Sequence, residues 1–358
     1  MSGESAADAA GTSDDSTDPE DLGASDVSGA VTEQYERIVR ARKVRALLAA
    51  LLILVVGYFF ANALYAVELL QANLPQYFGT FLEALQDFFP FLVSVEGFPW
   101  ITFNPGGFLE YWAFIQERNL IYNPEASLTD PSTGGPLALF GEAGITLSMG
   151  FAGTIMGFPL ALLFGILGSG RVTPFPFNFI FRGVMSSIRA IPALVWALIY
   201  VPLGGIGPTT ATLAIATDTI GNLGRLFTDE LEEIEDGPIE AMRTTGANKP
   251  QIIVFGMLSQ VTTPFIAWTL YIFEINVRIA VSLGIIGGGG LGQVLNVQQG
   301  LFAFTNMMAT ILVILVLIIS VEMFSQRLRS RLRGEDETQG FIDLLLGFPQ
   351  RMAESLLK

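Results

Sequence analysis

Six apolar runs, at 46–67, 144–168, 184–203, 208–227, 261–286 and 302–324, constrain this chain more than any other feature. Roughly 20 helical residues cross the ~30 Å hydrocarbon core of a bilayer, where only helices or closed barrels satisfy their own backbone polar groups. The expected fold is an all-α integral membrane protein with six transmembrane helices. The fourth run is the weakest, because Asp218, Asn222 and Arg225 interrupt it. Topology supports it nonetheless. With six spans and the amino terminus inside, all but two of the nineteen Lys and Arg fall on the cytoplasmic side or at cytoplasmic helix ends. The two exceptions are Arg118, in a long external loop, and Arg278, within the fifth run. Omitting the fourth run would put Arg327, Arg329, Arg331 and Arg333 on the wrong side. Both termini are therefore expected in the cytoplasm, and the chain in the cell membrane as a multi-pass protein surrounded by lipid.

Composition narrows the chemistry. Apolar residues make up 51% of the 358, charged ones 15%, and neither cysteine nor histidine occurs. Thiol chemistry, disulfides, thiolate or imidazole metal sites and histidine-based catalytic dyads are excluded. No GxxxxGK[ST] phosphate loop is present, so energy must come from a partner or a gradient. The net charge of −15 sits almost entirely in the segments assigned to water. It fits a salt-rich environment that screens self-repulsion, as in a halophile, and equally an ordinary membrane protein with an acidic tail.

Four regions follow. Residues 1–36 hold ten acidic and no basic side chains, which predicts a disordered tail rather than a signal peptide. Residues 37–143 carry the first span and the long external loop. There Tyr77, Phe88, Trp100, Tyr111 and Trp112 suggest interfacial anchoring through short helices. Residues 144–333 form a core of five spans with a cytoplasmic loop at 229–260, and 334–358 a cytoplasmic tail.

That loop opens with the acidic run DELEEIEDGP, expected in water. Gly237 reads as a helix cap, Pro238 as the first helical residue and Glu240 as the third, where a carboxylate meets free amides. This helix is expected to end at Thr245. Gly246 supplies a turn, and Asn248 with Pro250 starts a second helix through Leu258. A helix lying on lipid would carry a Lys/Arg-rich polar face, which this one lacks, so a protein partner is the better expectation.

Glu240, Ala241 and Gly246, in EAMRTTGA, resemble the EAA loop of ABC importer permeases. The resemblance runs from about residue 144 to 333. SSIRAIPALVWALIYV, TDELEEIEDGPIEAMRTTGA and YIFEINVRIAVSLGIIGGGGLGQ are all similar to the permease of phosphonate importers. Two positions depart from the pattern: Met242 replaces the third residue of the motif, and Leu258-Ser259 replaces the usual Leu-Pro. The resemblance implies a type I permease fold that works by alternating access on a phosphonate or related phosphorus oxyanion. It implies that Glu240, Ala241, Met242, Gly246 and Ala247 couple the chain to a separate ATP-binding subunit. An extracellular substrate-binding protein and a second copy of the chain are the other implied partners. No catalysis, cofactor or nucleic acid is implied for this subunit.

Other groups are open to two readings. GGGGLG satisfies GxGxxG but follows a membrane span and opens no βαβ unit, so nucleotide binding is rejected. Gly287, Gly288, Gly289 and Gly290 then serve close packing or a gate at the external end of span five. Glu274 and Arg278, four apart, are either an internal ion pair or a pathway site in which Glu274 holds Arg278 toward an anion. Asn276 lies between them, and Asp218 with Asn222 are candidate partners. Arg189 is expected to snorkel to the cytoplasmic interface, and Pro192 and Pro202 to kink or end span three. A secondary transporter relaying ions through Glu274, Arg278 and Asp218 is one alternative, and a membrane scaffold another.

Overall fold

The chain divides into two units, residues 1–79 and 80–358, and a computed structural model describes residues 19–69, 74–95, 98–127 and 135–333. The expected tail at 334–358 lies outside the described residues, as do positions 1–18. In the first unit α1 (Pro19–Ala66) begins inside the acidic segment, so helix rather than tail is found from residue 19. Its stretch Arg37–Ala66 is apolar and long enough to cross a membrane.

Chain direction next passes through α2 (Leu74–Phe88), the antiparallel pair β1 (Leu92–Val95) and β2 (Phe98–Phe103), and α3 (Gly106–Glu117). Short helices were expected here and are found. The two strands were not expected, although their Val, Phe, Trp, Ile and Thr content favours extended backbone. Within the second unit Phe91 stacks on Phe108 at 4.6 Å, and the buried Tyr111 donates a hydrogen bond to the Phe88 carbonyl. Burial, reinforced by Glu110, pushes the Tyr111 hydroxyl up to about 12, so it stays a donor.

The core of the second unit is built on α4 (Gly141–Gly168), which is preceded by a 3₁₀ turn (Pro136–Phe140). Then come α5 (Phe177–Ala190), α6 (Ala193–Gly204) and α7 (Pro208–Glu233). Glycines on α4 bring α7 into backbone contact. A Cβ at Gly153 would lie 2.5 Å from Ile215 Cγ2, and one at Gly157 2.5 Å from the Ala216 carbonyl oxygen. Such strips of small residues let helices approach where no hydrophobic force drives them together in lipid. Thr228 adds a cross-helix bond, its hydroxyl 3.1 Å from the Gly165 carbonyl oxygen.

Span three is not one straight helix. α5 and α6 meet at 90°, because Pro192 takes extended dihedrals between them. Pro202, by contrast, sits inside α6 without ending it. α7 fails a hydropathy test for a span, yet Thr210, Asp218, Thr219 and Thr228 on it are all buried. These four polar side chains are enclosed within the protein.

After α7 the chain forms α8 (Asp236–Thr244) and α9 (Lys249–Gln251). A π-helical stretch (Ile252–Met257) leads into α10 (Leu258–Leu283), so the expected second loop helix and span five are continuous. α11 (Gly290–Gly300) and α12 (Phe304–Arg333) are the last of the described elements. Among the described residues four helices are long and apolar enough to cross a membrane, or five if the bent pair is one span.

Candidate functional site

The loop joining α7 to α10 folds as a compact knob whose geometry follows from four residues. Glu235 is extended at the start of α8, and the helix begins at Asp236, not at Pro238 as its sequence suggests. Proline is tolerated at the third position because the first four amides of a helix lack intrahelical acceptors. Glu240 therefore sits one position past the first four, at the fifth. At the other end Gly246 has φ +77°, its amide donates to the Arg243 carbonyl, and the Ala247 amide donates to that of Met242 at 3.3 Å. These two bonds with a left-handed glycine form a Schellman termination. Asn248 and Gln251 then exchange side chain-to-backbone bonds of 3.0 and 2.9 Å, a capping box that starts the next helix.

One side of the knob faces the core. Ile239 is buried in a cluster with Leu231, Ile234, Met257, Val261 and Phe265. Met242 lies over Gly256, where an added Cβ would come within 2.8 Å of its Sδ. Glu240, Ala241 and the turn 244–246 are exposed, and the Glu240 carboxylate makes no hydrogen bond or ion pair among the described residues.

The acidic run leading into α8 is largely exposed, as expected, but several of its carboxylates are paired. Glu232 pairs with Arg182 of α5 and accepts from the Gly170 amide at 3.0 Å. Arg171 donates to the Glu232 carbonyl at 3.0 Å and to Asp236 at 2.5 Å. Asp229 pairs with Arg225, and Glu230 accepts from the Trp268 indole at 2.7 Å. Arg182 also reaches back to the Gly168 carbonyl at 2.8 Å. Three of the carboxylates, Glu230, Glu232 and Asp236, thus hold the knob to the ends of α4 and α5 and to α10, while the Asp229 pair stays within α7. Sequence reasoning missed this clamp, since its arginines lie 50 to 65 residues from their partners.

The polar residues of the spans fall into three separate groups. Arg278 donates to the buried Glu274 at 2.6 Å and lies 3.4 Å from Glu322 of α12, while Arg329 lies 3.6 Å from Glu274. Two cations and two carboxylates alternate here, so their charge cancels. Asn276 points elsewhere: its amide donates at 2.8 Å to both Thr154 of α4 and Thr219 of α7. Asp218 accepts from Asn222 at 2.9 Å, and Asn222 in turn accepts from Arg189 at 3.1 Å. Asp218 and Asn222 are therefore partners of Arg189, not of Arg278, and Arg189 is held by an amide. Among the described residues no continuous relay links Asp218 to Glu274.

At the far end of α10 the glycine run turns the chain back on itself. Gly287, Gly289 and Gly290 have φ of +98°, +95° and +67°, a region closed to most side chains. A Cβ on Gly290 would meet Thr146 Oγ1 at 2.3 Å, and the Leu291 amide donates to that same oxygen at 3.0 Å.

The family model described as binding-protein-dependent transport system inner membrane component matches residues 151–334. The putative phosphite transport system permease protein HtxC of Stutzerimonas stutzeri is 31% identical over 224 residues, 62% of this chain and 76% of that protein. The phosphate-import permease protein PhnE of Mycolicibacterium smegmatis is 35% identical over 195 residues, 54% of this chain and 37% of that protein. A putative cryptic phosphonate transport system permease protein, PhnE2 of Escherichia coli, is 41% identical over 117 residues, 33% of this chain and 96% of that one. Among solved structures, the MetNI methionine ABC transporter in an inward facing conformation aligns with a TM-score of 0.49 and 21% identity. It covers 53% of this chain and 94% of that chain.

Proposed function

Because the chain belongs to the family of binding-protein-dependent transport system inner membrane components, we propose that it is the permease of an ABC importer for a phosphonate or a related phosphorus oxyanion, driven through the α8 knob. The chain is a membrane permease component and not itself a catalyst. The oxyanion is carried over from the phosphite, phosphate and phosphonate systems named for its relatives. The knob supports the coupling role. Glu240 and Ala241 are exposed on a helix that Ile239, Met242 and the carboxylate clamp bind to the core. A partner that moves this knob moves α4, α5 and α10 with it.

In this reading Glu240, Ala241, Met242, Gly246 and Ala247 form the docking element for a separate ATP-binding subunit. Six membrane-embedded segments, with both termini cytoplasmic, place every Lys and Arg but two inside. A second copy of the chain completes the pathway, an extracellular binding protein delivers substrate, and alternating access reorients the spans. Arg278 is 45% exposed within an apolar span, an expensive position against lipid that favours a polar pathway wall or the partner copy. Glu274 holds Arg278 in that wall, Asn276 and Asp218 are pathway candidates in separate polar groups, and the glycines at 287–290 act as packing points and as a hinge for a gate.

Substitution of Glu240 by Ala is the direct test. Uptake and substrate-stimulated ATP hydrolysis should both fall while the amount of chain in the membrane stays constant, and unchanged uptake would sink the coupling assignment. Growth on a phosphonate or phosphite as sole phosphorus source, lost on deletion and restored by this chain, tests the substrate class.

A further inference from the structure

At the end of α4 and α7 farthest from the knob lies an open cavity of about 690 Å³ with a mixed polar and apolar lining. Arg118, Asn119, Glu142, Ser148 and Thr212 line it, and it follows α4 inward as far as Met156. From Gly141 to Met156 is about 22 Å of helix, so the cavity reaches well into the span. The backbone next to Arg118 is held in place, while the Arg118 side chain is exposed. The Glu142 amide donates to the Asn119 carbonyl at 3.1 Å and the Ala143 amide to that of Leu120 at 2.9 Å, which ties residues 119–120 to the first turn of α4. Gly141 permits this, since a Cβ there would sit 1.7 Å from the Asn119 oxygen.

Burial opposes the ionised form of Glu142 and the charge on Arg118 favours it, but the two side chains form no ion pair. Arg171, Arg182, Arg189, Arg225, Arg278 and Arg329 each meet a carboxylate or a side-chain amide. The Arg118 guanidinium makes no hydrogen bond or ion pair among the described residues. It is also the one Lys or Arg that the proposed topology leaves on the external side of the membrane outside a span.

We propose that this cavity is an external vestibule for the transported oxyanion, with Arg118 as its cation and Glu142 as a carboxylate that keeps occupancy brief. The ligand class rests on the function proposed above. A passage site must attract its ion without holding it, and one cation with one carboxylate nearby, in a space that is otherwise largely apolar, meets that requirement. The hydroxyls of Ser148 and Thr212 already donate to a carbonyl one turn back, so they can accept only from water that hydrates the oxyanion and do not grip the anion itself.

The chain has no cysteine, so a Ser148→Cys variant carries a single thiol. Cells bearing the assembled transporter are treated from outside with membrane-impermeant thiosulfonates, one anionic and one cationic. The thiol should react from that side, and the ratio of anionic to cationic rates should drop roughly tenfold when Arg118→Gln is added. Arg118→Lys should preserve the ratio and Glu142→Gln should raise it, opposite shifts that general disruption of the fold would not produce. Added phosphite or methylphosphonate should slow the labelling. Absence of labelling from outside, or a ratio indifferent to Arg118→Gln, overturns the vestibule. A ratio that responds to Arg118, with no effect of either phosphorus compound on labelling or growth, supports the vestibule and overturns the substrate class instead.

Discussion

Met242 and Gly256 are a matched pair: the methionine that replaces the usual third residue of the loop motif lies where a side chain on Gly256 would be, 2.8 Å from an added Cβ. A long thioether fits because the residue opposite has none. Gly256→Val should therefore overpack the contact and destabilise the protein by roughly 1–3 kcal/mol. Adding Met242→Ala should recover most of the loss, which a double-mutant cycle of thermal unfolding in detergent would measure. Additive losses would mean that the two residues do not share this space.

Gly246 tests backbone conformation without steric interference. Nothing lies within 4 Å of an added Cβ there, yet φ is +77°. Gly246→Ala should loosen the turn at a cost of about 1–2 kcal/mol, and Gly246→Asn should cost less, because asparagine tolerates the left-handed region. The loss should appear as uptake per ATP hydrolysed, with membrane insertion unchanged. Equal behaviour of the alanine and asparagine variants would contradict a conformational role.

Much of this knob was legible in the sequence, and the reasons are local. Gly246 and the Asn248-to-Gln251 box act within a few residues, so their turn and cap can be read directly. The start of α8 was misplaced by two residues because Gly237-Pro238 gives a helix-start signal wherever it falls in the first turn. Span four illustrates the opposite case. α7 is too polar for a hydropathy test, and only the distribution of basic residues across the whole chain argued for it. Its Asp218, Thr219 and Thr228 are buried within the protein, a fact set by packing that a linear reading does not contain. The carboxylate clamp and the separation of Asp218 from Arg278 were hidden for the same reason.

The Glu232 and Arg182 pair should matter more for coupling than for stability. Both side chains keep about a third of their exposure, so breaking the pair should cost only about 1 kcal/mol. Arg182→Gln also removes the bond to the Gly168 carbonyl that joins the knob to the end of α4. Uptake should fall severalfold while ATP hydrolysis persists, measured together in proteoliposomes. A proportional loss of both activities would point to misfolding rather than to a slack mechanical link.

Asn276 offers a sharper test of the core. The hydroxyls of Thr154 and Thr219 already donate to the Gly150 and Ile215 carbonyls at 2.7 and 2.8 Å, so toward Asn276 they can only accept. The amide nitrogen must face them, which leaves Asn276 Oδ1 buried without a partner among the described residues. An orphaned oxygen of this kind costs roughly 1–3 kcal/mol, and removing it offsets the loss of two hydrogen bonds. Asn276→Leu should therefore change stability by about 1 kcal/mol or less. Asn276→Asp should be far worse, by about 3 kcal/mol or more, because a carboxylate would face two oxygens that have no proton to give. Thermal unfolding of the two variants in one detergent separates them, and a leucine variant as damaged as the aspartate one would show that the amide bonds outweigh the unpaired oxygen.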